Sequence, residues 1–389
     1  EMKEDGSNIL RKITDIYIFV MILIFPLLVD KTGFFKILEC KYRYFVCISV
    51  IYLFTMTIIA IILRVKKKYF FHKLSGIQIA AVIFLILNVV SYLLSPFRKD
   101  YNLLLGVGRG EGLITSVLYI LLFIYVSYFG EFRKKYILFF SLSSVFINLI
   151  AILQFIGFNP FNMYQDGIGT HNVSFMTTIG NVDFISALYT ILLSVSFASY
   201  VFQEENNKYE NMIHLISLYM GSFILSIIDV SSGKLAFFLT VILLLPKIFQ
   251  ENLRLSRFLK SIAIVLLGIA TNIFLNVEYH YDIGKLGFYL QINDVLILFL
   301  VVIIVLYLLS RYLLRVKYYV HIAYKKYIFG LFWLGLLGVI VIYVLPFKSG
   351  FLYEVHELLH FNFDDTFGTY RIFLWKRTFP LLIDYPLLG

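Results

Sequence analysis

The sequence predicts an all-α, polytopic transmembrane helical bundle of about eleven spans. Three observations carry this. Eleven long apolar stretches, separated by short polar connections, run through almost all of the 389 residues. Hydrophobic residues make up 60% of the chain and the mean hydropathy is +0.85, more apolar surface than one water-soluble core can hide. Strand-length alternation of apolar and polar residues is absent, so helices, which satisfy their own backbone groups without water, are the expected spanning element.

A bilayer core takes about 20 apolar residues as helix. The stretches that meet this lie at 13–30, 44–64, 77–96, 112–130, 136–157, 182–203, 211–230, 233–250, 258–277, 292–316 and 326–347. The first follows Arg11 and Lys12 as a signal peptide would. Its end, Pro26-Leu27-Leu28-Val29, offers no small-residue cleavage site, so it reads as a retained helix. Residues 1–347 form one membrane domain, and 348–389 open a large outer loop after the last span. Cys40 and Cys47 fit neither a zinc site nor a redox motif.

Basic residues set the orientation, because Lys and Arg concentrate on the cytoplasmic side of short loops. With the N terminus inside, the inner segments carry 21 Lys and Arg against 9 in the outer loops and 4 in 348–389. The net charge of +10 is then mostly topological, with anionic lipid headgroups as its partner and no nucleic acid implied. Tyr and Phe, 29 and 40 in number, read as lipid-facing and interfacial residues.

Polar residues that interrupt the apolar pattern gather in four outer segments, and such residues are costly enough to be functional candidates. Gly106-Val107-Gly108-Arg109-Gly110-Glu111-Gly112 lacks the preceding strand of a dinucleotide fingerprint. It reads either as a turn with Arg109 snorkelling to headgroups or as an Arg offered to an anionic lipid-linked substrate and oriented by Glu111. The loop 159–183 has no Lys or Arg and ends in Gly180-Asn181-Val182-Asp183, where Asn181 and Asp183 either cap the next helix or contact sugar hydroxyls. In Asp229-Val230-Ser231-Ser232-Gly233-Lys234, Ile228 and Leu235 stand where a phosphate loop needs Gly and Ser or Thr. Lys234 is nevertheless placed to meet a pyrophosphate. His356-Glu357-Leu358-Leu359-His360 matches the helical zinc-protease pattern, with Asp364 or Asp365 as a third ligand, or reads as an amphipathic interfacial helix.

Several fragments together resemble the bacterial O-antigen ligase and O-antigen polymerase family. Arg371-Ile-Phe-Leu-Trp375, followed by Leu382-Ile-Asp384-Tyr385-Pro386-Leu387-Leu388-Gly389, is similar to the family's Arg, three residues, Trp, then Pro-Leu-Gly. Gln154-Phe-Ile-Gly157 with Thr178-Ile-Gly180-Asn181-Val-Asp183-Phe184, and Gly108-Arg109-Gly110-Glu111-Gly112-Leu113-Ile114-Thr115, resemble two earlier family segments in the same order. Where the family has Ser-Arg-Gly, this chain has Ser231-Ser232-Gly233 and then Lys234, which lacks the bidentate fork of Arg.

The resemblance implies a cell-envelope polysaccharide enzyme, a glycosyltransferase of the bacterial cytoplasmic membrane. It would move a glycan from a polyprenyl-diphosphate carrier to an acceptor glycan or lipid on the outer side. It also implies Arg371, Arg109 and Lys234 on the diphosphate, Asn181, Asp183, Glu111 and Trp375 on the glycan, and no metal or other cofactor. The family's catalytic His follows the Arg and Trp motif, so it is expected beyond Gly389 and the chain is expected to be a piece of a longer protein. The alternatives are a flippase or transporter of lipid-linked glycans, and a membrane zinc protease built on His356, Glu357 and His360.

Overall fold

The computed structural model describes residues 2–30, 36–67, 73–106, 108, 110–156, 158, 160–163, 177–204, 207–228, 230–275, 277–280, 285–288, 292–316, 323–384 and 386. They are overwhelmingly helical. In chain order the helices are α1 (Met2–Phe19), α2 (Ile37–Val65), α3 (Gly76–Leu94), α4 (Tyr101–Leu105), α5 (Leu113–Phe129), α6 (Lys134–Phe155) and α7 (Val182–Phe202). Then follow α8 (Lys208–Ile227), α9 (Ser231–Ile248), α10 (Asn252–Leu275), α11 (Asp294–Leu313), α12 (Tyr324–Val344), α13 (Gly350–Leu359) and α14 (Phe367–Asp384). Among the described residues, nine of these helices are long and apolar enough to cross a membrane, and α5 adds a shorter apolar helix. The protein is a multi-pass membrane protein.

Two elements differ from the sequence expectation. The apolar stretch 13–30 is not one helix: α1 ends at Phe19, a π-helical turn spans Val20–Ile24 and a 3-10 turn spans Phe25–Leu27. Pro26 sits at the start of that last turn, where its missing N–H and fixed φ are tolerated, and where an ongoing α-helix would lose a bond. Beyond α10, the connection to α11 contains an antiparallel hairpin, β1 (Val277–His280) with β2 (Lys285–Phe288), in the register Val277 with Phe288 and His280 with Lys285.

The chain divides into two compact units, Glu1–Val82 with Tyr101–His321, and Ile83–Asp100 with Ile322–Gly389. The first unit has two cores. Leu10, Tyr52, Met56 and Leu118 pack α1, α2 and α5 together; Ile147, Tyr189, Phe197, Leu218 and Ile224 pack α6, α7 and α8, with α9 and α10 joining through Phe237 and Leu255. In the second unit α12 buries no residue, and Leu334 and Val344 are about two-thirds exposed, as side chains facing hydrocarbon should be.

Small polar side chains glue α6, α7 and α8. Ser141 Oγ lies 2.9 Å from His214 Nδ1 and 3.1 Å from Ser196 Oγ; Ser196 Oγ lies 2.9 Å from Ser217 Oγ, which donates to Ser144 Oγ at 2.8 Å. Asn148 Nδ2 donates to the same Ser144 hydroxyl at 3.2 Å. All of these residues are buried, so the hydroxyls satisfy one another in an open chain that runs across the three helices.

Candidate functional site

The two ends of the first unit differ in chemistry. One end is basic. Asp15 pairs with Arg133 at 2.9 Å and Lys135 at 3.5 Å and accepts the Tyr136 hydroxyl, while Arg11 pairs with Glu131 at 3.1 Å. At the same end Arg257 donates to the Gln203 carbonyl, and Asn252 donates to the carbonyls of Leu313 and Val316. These contacts bring the segments 1–12, 131–135, 203–208 and 252–260 to one end of the unit, where sequence reading puts the inner loops.

The other end gathers the outer candidates. The Pro26 carbonyl accepts from Lys41 Nζ at 3.1 Å and from Thr178 Oγ1 at 2.6 Å, tying the start of α2 to the turn before α7. Thr177 N donates to Gln154 Oε1 at 2.8 Å, which anchors that turn on the end of α6. Asn181 is the N-cap of α7: its Oδ1 accepts from Asp183 N at 2.9 Å and Phe184 N at 3.3 Å. Capping is thus what the Asn181 side chain does, and Asp183 is left exposed in the first helical turn, favourably placed toward the positive end of the helix.

The glycine-rich segment before α5 is a tight closure. Gly106 takes φ +82°, and a Cβ there would stand 2.2 Å from the Glu111 nitrogen, so only glycine fits. The segment rests on α2, since Thr115 Oγ1 donates to the Gly110 carbonyl and lies 3.1 Å from Tyr42 Oη, whose hydroxyl can donate to it. Glu111 is exposed beside it. Arg109 lies outside the described residues.

Lys234 is exposed in the first turn of α9. Its neighbour Gly233 is the closest approach of α9 to α7: Gly233 N donates to Ser186 Oγ at 3.2 Å, and Thr190 Oγ1 donates to the Gly233 carbonyl at 3.3 Å. Lys234 therefore stands at the same end as Asn181, Asp183 and Glu111. Asp229 lies outside the described residues.

In the second unit, α13 and α14 follow the long apolar α12. Gly368, Thr369 and Tyr370 all take left-handed φ, 62°, 56° and 64°, so the regular part of α14 begins at Arg371. Gly368 N donates to Glu354 Oε2 at 3.0 Å, which fixes this turn on α13. Arg371 and Trp375, one turn apart, lie on one face and are both exposed. The other cations of α14 are tethered: Lys376 Nζ donates to Asp365 Oδ1 and the Phe363 carbonyl, both at 2.7 Å, and the Arg377 guanidinium lies 3.8 Å from the Phe373 ring centroid. Arg371 has no ion-pair or hydrogen-bond partner among the described residues. Of the Pro-Leu-Gly end, the described residues include Pro386 alone.

The two histidines of the zinc-protease pattern are neighbours, their ring centroids 4.3 Å apart, and each candidate ligand near them has protein partners. His360 is the C-cap of α13 rather than a residue of the helix, its ring stacks flat on Tyr343 at 4.3 Å, and its Nδ1 lies 2.8 Å from the His356 carbonyl. Glu357 accepts from Asn362, and Asp365 is occupied by Lys376. Hydrogen bonds from the Thr366 hydroxyl and amide hold the Asp364 carboxyl below the usual carboxylate range. Among the described residues no group of three His, Cys, Asp or Glu gathers as metal ligands.

Two features lay beyond the sequence reading. Lys41, counted there only as one outer-side charge, is buried, with the Phe25 ring 5.7 Å from its ammonium. A lysine in the second turn of a 29-residue apolar helix was the available signal. The Ser and His chain of α6 to α8 was hidden because serine is common in such helices and the pairing is tertiary.

The outer candidates thus fall in two groups, Glu111, Asn181, Asp183 and Lys234 in the first unit and Arg371 with Trp375 in the second. No protein-family model, no curated protein and no solved structure matches this chain.

Proposed function

We propose that the protein is a glycosyltransferase of the O-antigen ligase or polymerase type, acting at the outer face of a bacterial cytoplasmic membrane on a polyprenyl-diphosphate-linked glycan. The observation that carries this reading is the exposed Arg371 and Trp375 face of α14, where a guanidinium with no described partner sits one turn from an indole. The fork of Arg pairs with phosphate oxygens and stays charged at any working pH, while an exposed indole offers a flat apolar surface to a sugar ring.

In the reaction an acceptor hydroxyl oxygen attacks the anomeric carbon of the first sugar. The bond from that carbon to the phosphate oxygen breaks, and the carrier diphosphate leaves with the bonding pair. Arg371 neutralises the charge that develops on the diphosphate; the family resemblance, and not a shared site between the two units, is what implies the same role for Lys234 and Arg109. The hydroxyl proton passes to a general base, which the family resemblance implies downstream of Arg371 and Trp375. Glu111, Asn181 and Asp183 are the proposed contacts to glycan hydroxyls, Asn181 with what remains of its amide after capping.

The test is Arg371→Ala in the producing bacterium, with surface glycan as the readout and membrane insertion as the control. Removing a charge-stabilising donor should cost on the order of 100-fold or more in transfer, partly restored by Arg371→Lys. Unchanged surface glycan in an inserted Arg371→Ala protein overturns the assignment.

A flippase for the same lipid-linked glycans is favoured by one observation, the buried chain from His214 through Ser141, Ser196 and Ser217 to Ser144 inside the apolar helices. Carrier movement across proteoliposomes without glycan transfer would select it.

A further inference from the structure

At the basic end of the first unit a cavity of about 620 Å³ opens between α8 and α10. We propose that it holds the headgroup of an anionic phospholipid. Three cations line it, Lys208, Arg257 and Lys260, and among the described residues no carboxylate does. Arg257 is only 7% exposed. One of its N–H groups is committed to the Gln203 carbonyl, and a guanidinium has five donors, so a fork remains for a phosphate. Of the acids nearby, Glu210 accepts from Gln203 and Asn207, Glu251 pairs with Arg254, and Glu204 lines a different cavity beside Lys134 and His214.

Arg257 is buried while Lys208 is exposed and Lys260 half-buried, so the cations gather around one cavity mouth, and an anion is the group that relieves their repulsion. The other walls say what kind of anion. Leu215 and Ile216 lie one turn above Met212 on α8, and Ile264 one turn above Lys260 on α10, so an apolar track leaves the cations along the helices. A free phosphate has no use for that track; an acyl chain does. Tyr200 supports the headgroup end, its ring 5.9 Å from Lys260 Nζ, as expected of an aromatic at the interface. Basic pockets between helices on the cytoplasmic side are suited to anionic headgroups. The site lies at the opposite end of the unit from Asn181 and Lys234, so it is independent of the glycan-transfer reading.

Native mass spectrometry of the full chain in detergent tests it, with phosphatidylglycerol, phosphatidylcholine and inorganic phosphate as probes. Phosphatidylglycerol should be retained in preference to phosphatidylcholine. The double variant Lys208→Gln with Lys260→Gln should bind it about 30-fold more weakly, the loss of two basic contacts to an anionic headgroup. Equal retention of the two lipids, or phosphatidylglycerol binding that the double variant leaves unchanged, overturns the proposal. Inorganic phosphate bound as tightly as the lipid also overturns it. If the double variant does not yield monodisperse protein, the wild type decides through the lipid preference and its weakening with salt.

Discussion

Asp15 offers the sharpest energetic test of the first unit. Its side chain is 10% exposed and serves three partners, Arg133, Lys135 and the Tyr136 hydroxyl, which together tie α1 to the connection before α6. The two cations are 39% and 46% exposed, so solvent screens both pairs, and each is worth about 0.2–1 kcal/mol. The tyrosine bond to a carboxylate adds about 1.5–3 kcal/mol. Asp15→Ala should therefore destabilise by about 2–5 kcal/mol, and Asp15→Asn, which keeps a neutral acceptor for Tyr136, by about 1–3 kcal/mol. Unfolding of the purified protein in detergent, at low salt and in 1 M salt, separates the parts. The gap between wild type and Asp15→Asn should shrink in high salt, and the gap between Asp15→Asn and Asp15→Ala should persist. Equal loss in the two variants, or a gap between them that salt abolishes, would refute this division of the energy.

Asn181→Ala should cost about 1 kcal/mol through the lost cap of α7, and Asn181→Asp should restore it. Loss of transfer in Asn181→Asp without loss of stability would point instead to a glycan contact. At Gly233 an added Cβ would stand 2.4 Å from Ser186 Oγ and 2.7 Å from its carbonyl, so Gly233→Ala should destabilise by about 1–3 kcal/mol, read as a lower unfolding midpoint. With Cys40 and Cys47 replaced by Ser, single cysteines at Arg11 and Lys234, labelled from outside intact cells with a membrane-impermeant reagent, should react only at position 234; labelling at position 11 would reverse the proposed orientation.

The helices were legible because hydrocarbon leaves the chain few choices. Ten of the eleven apolar stretches fall on α-helix among the described residues, nine of these helices being long and apolar enough to cross a membrane, while 13–30 is α-helical only as far as Phe19. Residues 13–30 show where hydropathy stops informing: Val20 to Leu27 is as apolar as what precedes it, but its winding changes before Pro26. The apolar stretch begins at 44, but α2 begins at Ile37, with Lys41 buried against Phe25 and bonded to the Pro26 carbonyl. Asn181 was legible as a cap from its place before an apolar run. The fate of His356 and His360 was not, since a four-residue spacing says nothing of Tyr343, which takes the face of the second ring. Ser141, Ser196 and His214 are 55 and 73 residues apart along the chain, and nothing local in any one helix announces the other two.

That hydroxyl chain has a consequence for biogenesis. During synthesis α6 reaches the bilayer with Ser141, Ser144 and Asn148 facing hydrocarbon, before α7 and α8 have been translated. Asn148 bonds Ser144 within α6, but Ser141 finds its partners only when Ser196 and then His214 arrive, and Ser144 gains its interhelical donor only with Ser217. Release of α6 alone into lipid is therefore disfavoured relative to its retention beside the insertion machinery, and the three helices should leave that machinery together. A nascent chain arrested after α7 should accordingly remain crosslinkable to the translocon through α6, and one extended past α8 should not.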